Sequence, residues 1–348
     1  MTSRAKKILI IILSVLFVVL IAGGYFGYRI YRYVYAPNVI VKSENYFLKI
    51  PTGSDFEDVV TLLSEKQLLN DVESFRWVAD KKNYGSRVKP GRYQLKNGMS
   101  NNELINLLRS GAQTPVRLSF ISVRTLEQLA GKVGGVIEAD SLELIQCFRD
   151  TATLNRTGFN ENTLIAMFIP DTYEFFWNTS AEQFVGRMKE EYDKFWNSDR
   201  IAKADATGLS LVEVSTLASI VEQETRMNDE KARIAGVYIN RLERGELLQA
   251  DPTVIYAVGD FSIQRVLFRH LEYDSPYNTY MYAGLPPGPI CVPSPASIDA
   301  VLNYERHEYM FFCAKEDFSG YHNFAKTLRQ HNVNARRFQN ALNKRNIR

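Results

Sequence analysis

Cysteine is scarce in this chain of 348 residues, which carries only Cys147, Cys291 and Cys313. An odd, widely spaced set builds no disulfide framework, and none stands just after an apolar run where a lipid would be attached. One bridge between two of them stays open beside the plainer reading, three small buried hydrophobes. There are four histidines and no metal-finger spacing, no phosphate-loop glycine pattern, no internal repeat and no long low-complexity segment. Excess charge is lacking too: 42 basic against 39 acidic residues leave a net +3, which argues against a nucleic-acid binder with its concentrated basic surface. What remains is 45% hydrophobic and 23% charged, an ordinary globular balance. The length predicts two folded units plus additional segments.

The first positive feature is an uncharged run from Ile8 to Tyr28, in which Ser14 is the only plainly polar side chain. Twenty-one residues suffice to cross a bilayer as a helix. A cleaved signal peptide would need a shorter apolar core and a small-residue cleavage site, and neither is present. The run is therefore read as an uncleaved anchor over 8–28. Arg4, Lys6 and Lys7 precede it, which favours a cytoplasmic N-terminus of residues 1–7 with the bulk of the chain outside. Arg29 and Arg32 follow closely and weaken that asymmetry.

Residues 29–44 form a juxtamembrane linker rich in Tyr and Arg. Over 45–114 the pattern predicts a compact α+β module. Phe47 to Ile50 alternates like a strand, and Ser54 with Glu57 reads as a capping box for a helix bearing Phe56, Val59, Val60 and Leu63. A helical pattern covers 72–78, a turn leads into a strand over 88–95, and Ser100 with Glu103 caps the next helix. The order is similar to that of small LysM-like sugar-binding modules; a spacer holding the remainder off the membrane is the alternative.

From 115 to 348 lies a larger α+β domain, with a strand at Val116–Ile121, helices to about 150, and another at Ala181–Phe195. Its most informative stretch is Leu217-Ala218-Ser219-Ile220-Val221-Glu222-Gln223-Glu224-Thr225. At about 100° per residue, Val214, Leu217 and Val221 share an apolar stripe into which Glu224 falls, while Glu222 points away. A carboxylate against apolar neighbours costs several kcal/mol unless protonated or paired, and desolvation raises its pKa into the range of a proton donor. The plain alternative is that Glu224 ends the helix and turns to water.

Other stretches are weaker singly. They are Ile169 to Tyr173, Ala235 to Leu242, Leu248 to Gly259, Ser275 to Tyr280, Gly284-Leu285-Pro286-Pro287-Gly288-Pro289-Ile290, and His322-Asn323-Phe324 leading to His331. The proline-glycine run reads as a rigid turn. Asp251 before Pro252 reads as a helix cap. Asn278 and Thr279 between Tyr277 and Tyr280 either hold a sugar or pack their own loop. His322 is either structural or catalytic.

In order and spacing these stretches together resemble the endolytic murein transglycosylases of the YceG-like family, membrane-anchored enzymes that cut nascent peptidoglycan strands. The resemblance runs through the anchor, the LysM-like module and about 115–345, most specifically at 217–225, 249–256 and 275–290. The family's catalytic glutamate is the second of the Glu-x-Glu pair and falls on Glu224. Two departures stand outside it: Ile165-Ala166 where the family has Glu-Gly, and Val292-Pro293-Ser294 where it has Asn-Pro-Gly.

The resemblance implies non-hydrolytic cleavage of the β-1,4 bond between N-acetylmuramic acid and N-acetylglucosamine, leaving 1,6-anhydro ends and terminating strand growth. Glu224 would act as acid and then base, with Gln249, Asp251, Asn278, Thr279, Tyr280 and His322 around the sugar. It implies no metal and no cofactor. The expected partners are glycan strands, the plasma membrane through the N-terminal helix, and peptidoglycan synthases. The expected place is the bacterial plasma membrane, with the catalytic domain on its outer, periplasmic side. Two rivals remain: a muramidase-type hydrolase, needing Asp251 or Glu222 as second carboxylate, and a non-catalytic membrane-tethered glycan-binding scaffold.

Overall fold

The computed structural model describes residues 3–345. Met1 and Thr2 of the expected cytoplasmic segment, and residues 346–348 at the end of the expected catalytic domain, lie outside the described residues. The architecture is mixed α and β and divides into two compact units. One comprises Met1–Val116 with Glu174–Asn178, and the other Arg117–Tyr173 with Thr179–Arg348. The sequence pattern placed the division at 114/115 and gave no sign of the five-residue return.

In the first unit, helix α1 (Ser3–Tyr35) continues the apolar run by about two turns. Its apolar side chains point outward, with Leu20 65% exposed and Phe17 64%. A surface of that kind is stable only against an apolar medium, and α1 is long and apolar enough to cross a membrane. Strand β1 (Tyr46–Ile50) pairs antiparallel with β2 (Gly91–Leu95), in a register that sets Leu48 opposite Tyr93. Period-two alternation sends Leu48, Ile50, Tyr93 and Leu95 to one buried face. Helices α2 (Phe56–Glu65), α3 (Val72–Lys81) and α4 (Asn101–Ser110) complete the core with Leu63, Phe75, Leu104 and Ile105.

The capping box at Ser100 and Glu103 forms as the sequence suggests. The one expected at Ser54 and Glu57 does not. Asp55 caps α2 and Asp58 closes the box one residue later, each carboxylate accepting the other residue's backbone N–H. Glu57 instead pairs with Arg76 across the surface. Nor is 29–44 a free linker. After α1 the chain runs through bridges at Pro37–Ser100 and Val39–Leu69, and the buried Asn38 amide bonds to Asn101 Oδ1 at 2.7 Å.

The second unit contains β3 (Val116–Ser119), α5 (Leu126–Gly134), α6 (Ser141–Arg149), α7 (Thr151–Thr157), β4 (Thr172–Phe175), α8 (Ala181–Phe195) and α9 (Ser198–Thr207). The chain passes between the units within β3 and β4. Next come α10 (Leu211–Glu224), α11 (Asn228–Glu243), α12 (Asp251–Val258), α13 (Phe268–Leu271), α14 (Pro295–Leu302), the hairpin β5 (Phe311–Ala314) and β6 (His322–Ala325), and α15 (Leu328–Lys344). Helix α10 is the central element, buried through every residue from Val214 to Val221 and packed on α11 and α14. Ile165 and Ala166, at the first departure from the family pattern, are buried core side chains.

Candidate active site

Helix α10 begins at a Ser210–Glu213 capping box and ends at Glu224, with extended Thr225 as its C-cap. The apolar stripe predicted for it packs inward, so its last carboxylate emerges where the packed helix stops and a cavity of about 350 Å³ begins. Its Oε1 accepts a 2.6 Å hydrogen bond from the Tyr238 hydroxyl on α11. Burial pushes the Glu224 carboxyl up to about 7, the Tyr238 hydroxyl pulls against that rise, and the charge of Asp251 adds to it. Tyr238 is itself buried, which together with the Glu224 charge keeps its phenol protonated far above the ordinary range.

Helix α11 carries more of the wall than its sequence suggested. Tyr238 and Arg241 are three residues apart and so share a face. The buried Arg241 guanidinium donates from Nε to Met310 O at 2.8 Å and from Nη1 to Leu247 O, Leu248 O and Gln249 Oε1 at 3.0, 2.9 and 3.2 Å. It thereby ties the loop before α12 to the strand of the hairpin. Gly236 and Asn240 serve the neighbouring face. A Cβ on Gly236 would lie 2.3 Å from Glu305 O, and Asn240 Nδ2 donates to His307 O and Tyr309 O.

The remaining wall comes from α12, the 275–280 loop, the hairpin and α15. Gln249 sits at φ +50, a left-handed conformation rare for a non-glycine residue and held here by Arg241 and by its own N–H to Thr279 O. Asp251 Oδ1 accepts a 2.6 Å hydrogen bond from the Tyr280 hydroxyl. Burial and that carboxylate raise the Tyr280 phenol well above its ordinary value. Phe312 stands edge-on to Tyr238 and to His322. His322 Nδ1 lies 2.9 Å from the buried Glu230 carboxylate, which also accepts the His322 backbone N–H. His331 on α15 packs against Phe311; its Nδ1 is buried with no hydrogen-bond partner among the described residues, and burial holds its pKa below the ordinary histidine value.

Of the residues expected around a sugar, Glu224, Gln249, Asp251, Tyr280 and His322 line this one cavity. Asn278 and Thr279 do not. Asn278 is fully buried and donates to Leu271 O and Tyr273 O. Thr279 Oγ1 accepts from Ala250 N and hydrogen-bonds Thr253, so these two side chains brace the loop that presents its neighbours. Asp251 is not a helix cap: Ala250 holds that position, and Asp251 opens the first turn with its carboxylate turned to Tyr280. The sequence reading missed Tyr238, Arg241, Phe311, Phe312 and His331 as lining groups. The Tyr238–Arg241 spacing and His331 both lie inside stretches already noted; Phe311 and Phe312 carry no such signal.

Glu222 faces a different cluster. Its carboxylate meets Lys231 Nζ at 3.0 Å, Ser294 Oγ at 2.5 Å and Ser297 Oγ. Burial pushes its carboxyl up, but the two serines and the lysine together hold it below the ordinary value. Ser294, at the second departure from the family pattern, thus supplies a hydroxyl where glycine has none, and it also caps α14. Just before it, a Cβ on Gly288 would overlap Asn162 O at 2.0 Å, so the proline-rich turn requires its glycine for close approach.

Tyr238→Phe removes the one hydrogen bond that favours ionised Glu224. The Glu224 pKa is expected to rise further, moving the alkaline limb of the kcat/KM profile to higher pH. A profile that stays in place or moves to lower pH would show that this hydroxyl does not set the acid.

The chain matches the model of the YceG-like family over residues 48–337 and belongs to that family. It is an enzyme, a lytic transglycosylase. It is similar to the endolytic murein transglycosylase of Bacillus subtilis (strain 168), with 29% identity over 314 residues that cover 86% of each chain. The endolytic murein transglycosylase of Streptococcus pneumoniae (serotype 2, strain D39) is 29% identical over 340 residues, 88% of this chain and 61% of the longer relative. Among solved structures, a YceG-like protein of Listeria monocytogenes aligns with a TM-score of 0.57 at 28% identity, covering 83% of this chain and 98% of that one.

Proposed function

We propose that the chain cuts peptidoglycan strands internally, at the bond between N-acetylmuramic acid and N-acetylglucosamine, without water, and that Glu224 is the catalytic residue. The observation that carries this reading is the state of the two carboxylates that line the cavity, Glu224 and Asp251, and of the two nearby, Glu230 and Glu222. Glu224 has a pKa near 7 and, among the described residues, the Tyr238 hydroxyl as its hydrogen-bond partner. Asp251 is engaged by Tyr280, Glu230 by His322 and Glu222 by Lys231. One acid that can also serve as base is what a lytic cleavage needs, whereas a hydrolase uses two carboxylates with separate tasks.

In the first step Glu224 gives its proton to the glycosidic oxygen as the bond to the anomeric carbon breaks, releasing the 4-hydroxyl of N-acetylglucosamine. The muramic acid's own C6 hydroxyl then bonds to that carbon and its proton passes to the Glu224 carboxylate, which regenerates the acid. Because nucleophile and electrophile belong to one sugar, the attack is intramolecular and gains several kcal/mol over a bimolecular one. Gln249, Tyr280 and His322 orient the ring, with the aromatic wall of Phe311 and Phe312 beside it. Asn278 and Thr279 act through the loop they brace. The N-terminal helix anchors the enzyme in the plasma membrane with the catalytic unit outside, where new strands emerge beside peptidoglycan synthases and cutting would end their growth. The LysM-like module positions it there or binds glycan.

A second reading rests on Asp251, which shares the cavity with Glu224. As a nucleophile or base it would make the enzyme a muramidase. Mass analysis of products from purified glycan strands separates the two. Wild type and Asp251→Asn are both expected to give ends one water lighter than reducing ends, the variant more slowly. Reducing ends from wild type, with all cleavage lost in Asp251→Asn, would establish the hydrolase instead.

A further inference from the structure

We propose that the first unit holds the phosphate of an anionic lipid headgroup in a cavity beneath the exit of α1. The cavity, about 290 Å³, is lined by Arg29 and Arg32 from the helix and by Tyr33, Asn38, Asp71 and Asn101 around them. Arg29 and Arg32 are three residues apart and so lie on one face of α1. Arg29 is held in place: its Nη2 donates to the Tyr33 hydroxyl at 2.8 Å, with the guanidinium 5.4 Å from that ring. Arg32 makes no ion pair among the described residues. The one carboxylate in the lining, Asp71, accepts the Ser74 backbone N–H that it caps, so two guanidinium groups face a single acid and the lining keeps a net positive charge. Such a pair presents a forked set of N–H donors matched to phosphate oxygens.

Depth selects a lipid over a free anion. The uncharged run ends at Tyr28, and at about 1.5 Å per residue Arg29 and Arg32 stand within roughly 6 Å of its end, in the headgroup zone. Tyr25, Tyr28, Tyr31 and Tyr35 are exposed on the same stretch, as side chains at a membrane–water boundary are. The depth is fixed because α1 does not swivel freely on its unit: Asn101 Nδ2 donates to Tyr33 O at 2.8 Å, and the Tyr33 ring packs edge-on against Trp77. Acyl chains of a lipid bound here would lie along the exposed apolar face of α1. The inference rests on α1 spanning the membrane and is independent of the reaction proposed above, since its readout is lipid retention rather than cleavage.

The test uses the full-length chain in neutral detergent, with bound lipid counted by native mass spectrometry. Phosphatidylglycerol is expected to bind ~30-fold tighter than phosphatidylcholine, and Arg29→Gln/Arg32→Gln to lose about that factor, since two basic groups at a membrane surface are worth about 1 kcal/mol each. Lys6→Gln/Lys7→Gln removes the same charge at the other end of the helix and is expected to change affinity less than about 3-fold. Arg32→Gln alone, which spares the Arg29–Tyr33 bond, should lose part of the affinity and keep the wild-type melting curve. Equal binding of the two lipids, or equal losses in the two double variants, would overturn the site in favour of general surface charge. Displacement of the lipid by millimolar inorganic phosphate would overturn the lipid assignment and leave a free-phosphate site.

Discussion

Glu224→Gln is expected to lower glycan cleavage by about 10²–10⁴-fold, the range for loss of a general acid–base group, and to make the protein more stable. The two effects share one cause. The Glu224 carboxyl is raised from an ordinary 4.5 to about 7, chiefly by burial. The folded chain therefore binds this proton more tightly than the unfolded chain. The resulting contribution to stability is complete below about pH 4.5 and is lost as pH rises through about 7. Above that, wild type bears the cost of a buried charge, about 3 kcal/mol at most. Glutamine keeps the shape and the Tyr238 contact without the charge. Denaturant melts at pH 8 should find Glu224→Gln stabilised by about 2–3 kcal/mol, and melts at pH 4 should find no difference. Wild-type turnover by the variant would remove Glu224 from the reaction. Equal stability at pH 8 would show that the carboxyl is not held near neutrality. For wild type the same pKa predicts that kcat/KM falls as pH rises through about 7, because the proton needed by the leaving oxygen is gone.

Lys231→Met should have the largest effect on folding. Lys231 is 4% exposed and is the cation beside Glu222, with Ser294 and Ser297 as the carboxylate's other partners among the described residues. Removing the lysine strands a half-buried carboxylate, and changes of this kind typically cost about 3–5 kcal/mol. The pair joins the end of α10 to the starts of α11 and α14, the same elements that set Glu224 against Tyr238. Glu222→Gln/Lys231→Met should recover most of the loss, since replacing both members leaves no uncompensated charge. Glu222→Gln alone is expected to destabilise while its folded fraction still cleaves. A Lys231→Met change within about 0.5 kcal/mol of wild type, the scale of an ordinary surface substitution, would mean that the pair is not structural. Complete loss of cleavage in a folded Glu222→Gln protein would mean that the wrong carboxylate has been assigned.

Features carried by neighbouring residues could be read without coordinates. The Ser100–Glu103 capping box, the alternation at Leu48 and Ile50 and the helical stripe at Val214, Leu217 and Val221 each depend on spacing within one element. Boundaries fared less well where several residues compete for one task. Ser54 and Asp55 are both good caps, and the helix starts one residue later than the first of them, with Asp55 as its cap. Asp251 has the composition of a cap, yet Tyr280, 29 residues away, draws its carboxylate aside. Asn278 and Thr279 look like sugar ligands because they are polar and flanked by tyrosines, but buried loop carbonyls and hydroxyls claim them first.

The sequence alone determined the apolar span, because an uncharged run of that length has few stable surroundings. It also singled out Glu224 over Glu222, because helical periodicity assigns the two residues to different faces. Only the tertiary structure decided what surrounds Glu224. Tyr238, Asp251, Tyr280, His322 and His331 come from separate elements up to 107 residues along the chain, and no local period encodes which of them meet. A carboxyl's pKa is set by burial and by charges within a few ångströms, which are properties of that meeting and of no segment by itself.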